Sequence, residues 1–266
     1  MSKGTIVLAH GIFGFGDLIP GFQPVHYFNG VESFLEDQDW NVVVPTVDPV
    51  GHVEKRAGQL IQQIPQAVPE PLHIIAHSMG GLDARRAFQL DDNLAGRVKT
   101  LVTIGTPHQG SPVADAVADG KGPLASELPQ FVHDMFGNTD AIQDLTSDFC
   151  RDFNSKTPDI KTIEYINIAG DASLANNQFV FFELAALIRE RTGKINDGMV
   201  TKASALREGE RHLDDWPVDH IGEIGWSLGS PVPIAQIQVK LNLLLPSARS
   251  HLARYEAIAK LLSSAS

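Results

Sequence analysis

Short apolar runs alternate with helical stripes along most of this chain. Thr5–Ala9 (T-I-V-L-A) is an apolar run that ends at His10-Gly11 and predicts a buried strand. Residues 41–47, 72–76, 99–105 and 162–169 predict four more strands, and 199–205 a weak one. Between them, apolar side chains recur at helical spacing: Tyr27, Phe28, Val31, Phe34 and Leu35, then Val53, Ala57, Leu60, Ile61 and Ile64 before Pro65, then residues 79–90. Residues 113–160 show no strand pattern. They carry two helical stripes, Leu124, Leu128, Phe131, Val132 and Met135, then Ile142, Leu145, Phe149 and Phe153. The run 179–188 is apolar nearly all round, 234–245 reads equally as strand or helix, and Leu252, Tyr255, Ile258 and Leu261 mark a final amphipathic helix.

Strands separated by helices are βα units, so the expected architecture is a mostly parallel central sheet with helices on both faces. In such sheets ligands gather at the carboxyl ends of the strands. Three glycine-containing segments lie there: H-G-I-F-G-F-G (10–16) after the first strand, H-S-M-G-G (77–81) after the third, and G-T-P-H-Q-G-S (105–111) after the fourth. No Ser/Gly-rich or charge-run linker divides the 266 residues, so the chain reads as one domain, 1–266.

Composition narrows the classes. A net charge of −11 opposes phosphate backbones and anionic membrane surfaces, which argues against nucleic-acid binding. No apolar run approaches the ~20 residues of a membrane span. Cys150 is the only cysteine, which excludes an intramolecular disulfide; beside Phe149 and Phe153 it reads as a buried structural thiol. The N-terminal apolar run breaks at His10-Gly11 without a signal-peptide pattern, so the expected location is cytoplasmic, or external by a leaderless route.

Residues 72–81 (L-H-I-I-A-H-S-M-G-G) approach the G-x-S-x-G nucleophile elbow, with Ala76 in the first small position. A strand, a tight turn and a helix would project the Ser78 hydroxyl from the end of the sheet. A serine needs a base, and the base an orienting acid, in the order Ser, Asp/Glu, His. His108, His133, His212, His220 and His251 all follow Ser78. His220, at the start of an apolar segment, is the expected base, whereas His212 sits in a charged run. Asp197, on the turn I-N-D-G, is the expected acid, with Asp214, Asp215 and Asp219 as competitors. The oxyanion of an acyl transfer would be held by the backbone N–H groups of Met79 and Ile12.

On V-L-A-H-G-I-F-G-F (7–15), I-A-H-S-M-G-G (75–81), I-G-T-P-H-Q-G-S (104–111), N-D-G-M-V (196–200) and Asp219-His220, the chain resembles α/β-hydrolase bacterial lipases of the Pseudomonas/Burkholderia/Proteus type. The resemblance implies an α/β-hydrolase fold, a Ser78/Asp197/His220 triad with an Ile12/Met79 oxyanion hole, and hydrolysis of acylglycerols at an oil–water interface. It also implies a helical lid within residues 113–160. Many such proteins hold calcium through an aspartate two residues after the histidine; here that residue is Gly222, so no metal or other cofactor is expected. The same triad would also serve a short-chain carboxylesterase, a thioesterase or an acyltransferase, and, without turnover, a binding module.

Overall fold

The computed structural model describes residues 2–12, 26–137, 139–174, 179–228, 244–246 and 250–264. Residues 13–16 of the first glycine-rich segment and 234–243 of the ambiguous C-terminal run lie outside them. Strands β1 (Thr5–Ala9), β2 (Asn41–Val43), β3 (Leu72–His77), β4 (Val98–Ile104), β5 (Glu164–Ile168) and β6 (Arg211–His212) form a parallel sheet in the order β2-β1-β3-β4-β5-β6. The strand order reverses between β1 and β3, the point at which open α/β sheets bind ligands. A separate antiparallel pair joins β7 (Trp226–Leu228) to β8 (Leu244–Pro246).

All five residues of β1 are buried, and their alternation feeds two cores. Ile6 and Leu8 pack with Val31 and Leu35 of α1 (Val31–Glu36) and with Tyr255, Ile258 and Leu262 of α11 (Ser250–Ser264). Val7 and Ala9 pack on the other face with Ala57 and Leu60 of α2 (Val53–Gln63), Phe88 of α3 (Gly80–Leu90) and Leu94 of α4 (Asp92–Arg97).

A third core includes Met79 and Leu82, so it begins at the turn that carries Ser78. It is completed by α5 (Pro112–Asp119), Leu124, Leu128, α6 (Gln130–Phe136), α7 (Asp140–Gln143), α8 (Ser147–Lys156) and α9 (Phe179–Thr192). Cys150 is buried here, its thiol directed at the Pro107 carbonyl, 3.2 Å away.

Several expected elements differ. The first helix starts at Val31 rather than Tyr27, because Gly30 before it takes φ 68°, outside the helical region. The stripe from Ile142 to Phe153 is split between α7 and α8, with Thr146 Oγ1 capping α8 through Phe149 N–H at 3.3 Å. Residues 199–205 are not a strand. Asp197 Oδ1 takes the N–H groups of Met199 and Val200 (2.8 and 2.6 Å), and Thr201 Oγ1 caps a short helix, α10 (Lys202–Ala205). The backbone donors of this segment therefore go to the Asp197 carboxylate and to local turn and helix carbonyls instead of the sheet, and the sixth strand forms at the charged pair Arg211-His212.

Candidate active site

β3 leads directly into Ser78, whose φ of 54° is a left-handed conformation that a non-glycine residue holds at a cost of roughly 1–3 kcal/mol. The surroundings fix it there. Ser78 N–H donates to Ile104 O at 2.9 Å, and its carbonyl accepts from Thr106 Oγ1 at 2.8 Å and Gly81 N–H at 3.1 Å. The turn requires glycine behind it: a Cβ on Gly80 would stand 2.5 Å from the Ala9 carbonyl oxygen.

Ser78 Oγ lies 2.9 Å from His220 Nε2, and His220 Nδ1 lies 2.8 Å from Asp197 Oδ2. A carboxylate oxygen only accepts, so Nδ1 carries the imidazole proton and Nε2 is free to take the serine proton. Backbone bonds reinforce the pair: His220 N–H donates to Asp197 O at 2.9 Å, and Asp197 N–H to Val200 O at 3.1 Å. Ser78 and His220 are only 3% and 7% exposed, so the group is buried.

Among the described residues, no competitor hydrogen-bonds Ser78 Oγ or the His220 ring. Asp219 Oδ1 caps the following turn through Gly222 N–H at 2.8 Å, and Asp215 pairs with Lys202. His212 is exposed on β6. His108 is buried beside Thr103, 3.1 Å away; burial foremost, then the Arg85 charge, holds its pKa well below the usual value. His133 lies on α6, and His251 bonds Asn29 O at 2.6 Å.

Met79 heads α3, and Ile12 packs at the margin of the third core. Among the described residues, neither backbone N–H is committed to a hydrogen bond. The loop after β1 is pressed against the elbow, with an added Cβ on Gly11 falling 2.7 Å from Ser78 Cβ. Arg56, fully buried on α2, grips that loop from below. It donates to the carbonyls of His10 (2.9 Å) and Gly11 (3.2 Å) and pairs with Asp83 Oδ2 at 2.7 Å. Burial drives the Asp83 carboxyl up to about 6 despite the adjacent guanidinium, and holds His10 down at about 4, with Arg56 adding to the latter effect.

A second layer lies behind the triad. His77 Nδ1 is 2.6 Å from the Tyr27 hydroxyl, and Nε2 is 2.9 Å from Glu223 Oε2 and 3.0 Å from His220 O. Among the described residues, His77, His220 and Glu223 are the group whose donor atoms converge within 4.8 Å, a spacing that a metal ion could use. The histidine nitrogens in it are all engaged by protein or by Ser78.

No motif in the sequence marks Arg56, His77, Tyr27 or Glu223 as functional. Two of them left a signal: Arg56 interrupts the apolar stripe of Val53, Ala57 and Leu60, and Glu223 is a charge inside I-G-E-I-G.

Residues 54–120 match the family model of the PGAP1-like alpha/beta domain. A triacylglycerol lipase 2 of Saccharomyces cerevisiae is 30% identical over 223 residues, covering 76% of this chain and 63% of its own length. A triacylglycerol lipase of Vibrio cholerae is 27% identical over 263 residues, covering 86% and 81%. The chain thus spans less than two thirds of the yeast relative. The crystal structure of a mature Bacillus licheniformis lipase superposes with a TM-score of 0.67 at 23% identity, covering 84% of this chain and 87% of that one. The parallel sheet with helices on both faces, together with this likeness, defines an α/β-hydrolase fold. By sequence the chain is similar to proteins named triacylglycerol lipase, from yeast and from bacteria.

Proposed function

We propose that this chain is a serine carboxylic ester hydrolase that cleaves acylglycerols at an oil–water interface. The observation that carries the reading is the continuous hydrogen-bonded path from Ser78 Oγ through His220 to Asp197, built on a serine held at φ 54°.

In this mechanism His220 Nε2 takes the hydroxyl proton as Ser78 Oγ attacks the ester carbonyl carbon. The N–H groups of Ile12 and Met79 receive the resulting oxyanion, each worth about 2.7–4 kcal/mol to the transition state. Collapse breaks the C–O bond, and His220 gives its proton to the departing alcohol. Water, deprotonated by the same imidazole, then attacks the acyl-Ser78 ester and releases the fatty acid. Asp197 keeps Nδ1 protonated and stabilises the imidazolium at each step.

The third core supports a substrate with a long apolar chain. Leu82, Val113, Leu128, Val132 and Leu184 share one buried cluster with Met79, the neighbour of the nucleophile. We assign α5–α8 as the lid because they share a core with Met79, the neighbour of Ser78. Ser78 is nearly inaccessible, so a lipid enters only after a movement.

The reaction uses no metal or cofactor. The calcium site that accompanies the resemblance does not fit this chain: Gly222 offers no side-chain ligand, and a Cβ there would meet Asp219 Oδ1 at 2.9 Å.

Turnover of triolein emulsion and of soluble tributyrin, by the parent and by Ser78→Ala, tests the reading. Loss of both activities in the variant, with triolein turned over by the parent, is expected. Parent turnover confined to tributyrin would replace the lipase by a short-chain esterase. Retained activity in Ser78→Ala would remove the mechanism.

A further inference from the structure

The polar layer behind the triad is unused by the chemistry above, yet it is built with care. Glu223 is fully buried, and two glycines clear space for its carboxyl group. A Cβ on Gly105, at the end of β4, would collide with Glu223 Oε2, and one on Gly170 would lie 2.5 Å from Glu223 Oε1. The backbone of the same turn is braced from α11, where the Tyr255 hydroxyl donates to Glu223 O at 3.1 Å and Arg254 Nη2 to Gly222 O at 2.9 Å.

The geometry fixes the protons of this layer. The His220 carbonyl can only accept, so His77 Nε2, 3.0 Å away, carries the imidazole proton and shares it with Glu223 Oε2 at 2.9 Å. His77 Nδ1 is then the acceptor for the Tyr27 hydroxyl at 2.6 Å. Tyr27 also touches the loop after β1, an added Cβ on Gly11 lying 2.7 Å from its oxygen. His77 therefore stands next to the nucleophile in the chain, beside the oxyanion loop through Tyr27, and against the backbone of the base. The two backbone polar groups of His220 are held by Asp197 O and by this imidazole.

We propose that His77 and Glu223 form a positioning pair, oriented by Tyr27, that holds the His220 loop in register with the Ser78 elbow. The proposal rests on the serine-hydrolase reading. The pair works through hydrogen bonds and not through a net charge. Burial foremost, and the neighbouring Asp197 and Asp219, push the Glu223 carboxyl well above the usual carboxylate range. Burial likewise holds His77 well below the ordinary histidine value, with His220 contributing. Burial favours the neutral form of both groups, so Asp197, at 2.8 Å, is the partner that stabilises the imidazolium. At 3.5 Å, Glu223 Oε2 is a distant second neighbour of His220 Nδ1.

The test measures kcat, KM and the melting temperature with a soluble p-nitrophenyl ester for Glu223→Gln, Glu223→Ala, His77→Phe and Tyr27→Phe. It also follows the rate at which an organophosphate modifies Ser78. Glu223→Gln, an isosteric neutral group, should keep at least a third of the parent kcat. Glu223→Ala and His77→Phe should lose about 10–100-fold in kcat and in phosphorylation rate with KM within about twofold, because a misplaced base slows attack without altering ester binding. Tyr27→Phe, which removes one hydroxyl, should lose about 3–10-fold in kcat and keeps the test open if His77→Phe does not fold. A Glu223→Gln variant as impaired as Glu223→Ala would overturn the proposal in favour of a charge effect, and parent-like kcat in Tyr27→Phe and Glu223→Ala would remove the pair altogether. Ser78→Ala, assayed alongside, separates the two levels: its retained activity would sink the serine mechanism, whereas its inactivity leaves only the positioning pair at stake.

Discussion

His220 Nε2 and Ser78 Oγ stand 2.9 Å apart although 142 residues separate them in the chain. The contact closes because Ser78 leaves β3 on a left-handed turn while His220 leaves the far side of the sheet beyond β6, with both at the carboxyl edge.

The orientation of that imidazole depends on Asp197. An amide in its place can present a donor to Nδ1, which favours the tautomer with the proton on Nε2, pointing at Ser78. Asp197→Asn should therefore fold normally and lose about 10⁴-fold in kcat, the loss known from the corresponding change in another Ser-His-Asp triad. Steady-state kinetics with a p-nitrophenyl ester measures it; a loss below about tenfold would mean that another group orients His220.

Arg56 is expected to be irreplaceable by lysine. Its fork reaches Asp83, Asp48 O, His10 O and Gly11 O at once, which a single ammonium cannot do. Arg56→Lys should lower stability in urea by about 1.5–3 kcal/mol. It should also reduce kcat, since the His10-Gly11 loop carries the Ile12 donor. Unchanged kcat in a destabilised variant would confine Arg56 to a structural role.

Gly80→Ala should be destabilising although alanine is the better helix former by about 1 kcal/mol. The new methyl group would stand 2.5 Å from Ala9 O and 2.8 Å from His10 O, both backbone atoms of the strand and loop beside the elbow. Thermal unfolding reads the sign, and a raised melting temperature would contradict the packing described.

Asp219 makes stability depend on pH. Burial pushes its carboxyl up to about 7, and Asp197 adds to the push, against an ordinary value of 3.8 in the unfolded chain. Between these values the native state binds more protons than the unfolded state, so this group's contribution is full below about pH 4 and is lost as pH rises through 7. Asp219→Asn is neutral throughout and still offers an oxygen to Gly222 N–H. Relative to the parent it should gain on the order of 2–4 kcal/mol between pH 4.5 and pH 8 in urea denaturation. A difference independent of pH would show that Asp219 does not change protonation on unfolding.

Period and punctuation made much of this legible in the sequence. β1 was readable to the residue, and β3, β4 and β5 within one or two positions, because strands buried on both faces are continuous apolar runs between glycine loops. Ser78 was marked by the strand and glycine turn around it, Asp197 by its I-N-D-G turn and His220 by the apolar segment it opens. The structure joins Ser78 to His220 and His220 to Asp197 within hydrogen-bonding distance. The weak strand at 199–205 failed because Asp197 takes the first two backbone donors and Thr201 caps a short helix over the rest. β6 was hidden because its two exposed residues, Arg and His, carry no apolar pattern. His77, Arg56 and Glu223 were missed for a different reason. Their partners lie as far as 146 residues away, and periodicity records which face a residue occupies but not what it meets there.

The central claim is that Ser78 is the nucleophile activated by His220. Its most direct test is mass spectrometry of the protein after treatment with diethyl p-nitrophenyl phosphate. The account predicts one diethylphosphoryl group per chain, on Ser78, loss of esterase activity in proportion to labelling, and no labelling of Ser78→Ala. Full inactivation with the label on another residue, or activity that survives complete modification of Ser78, would contradict it.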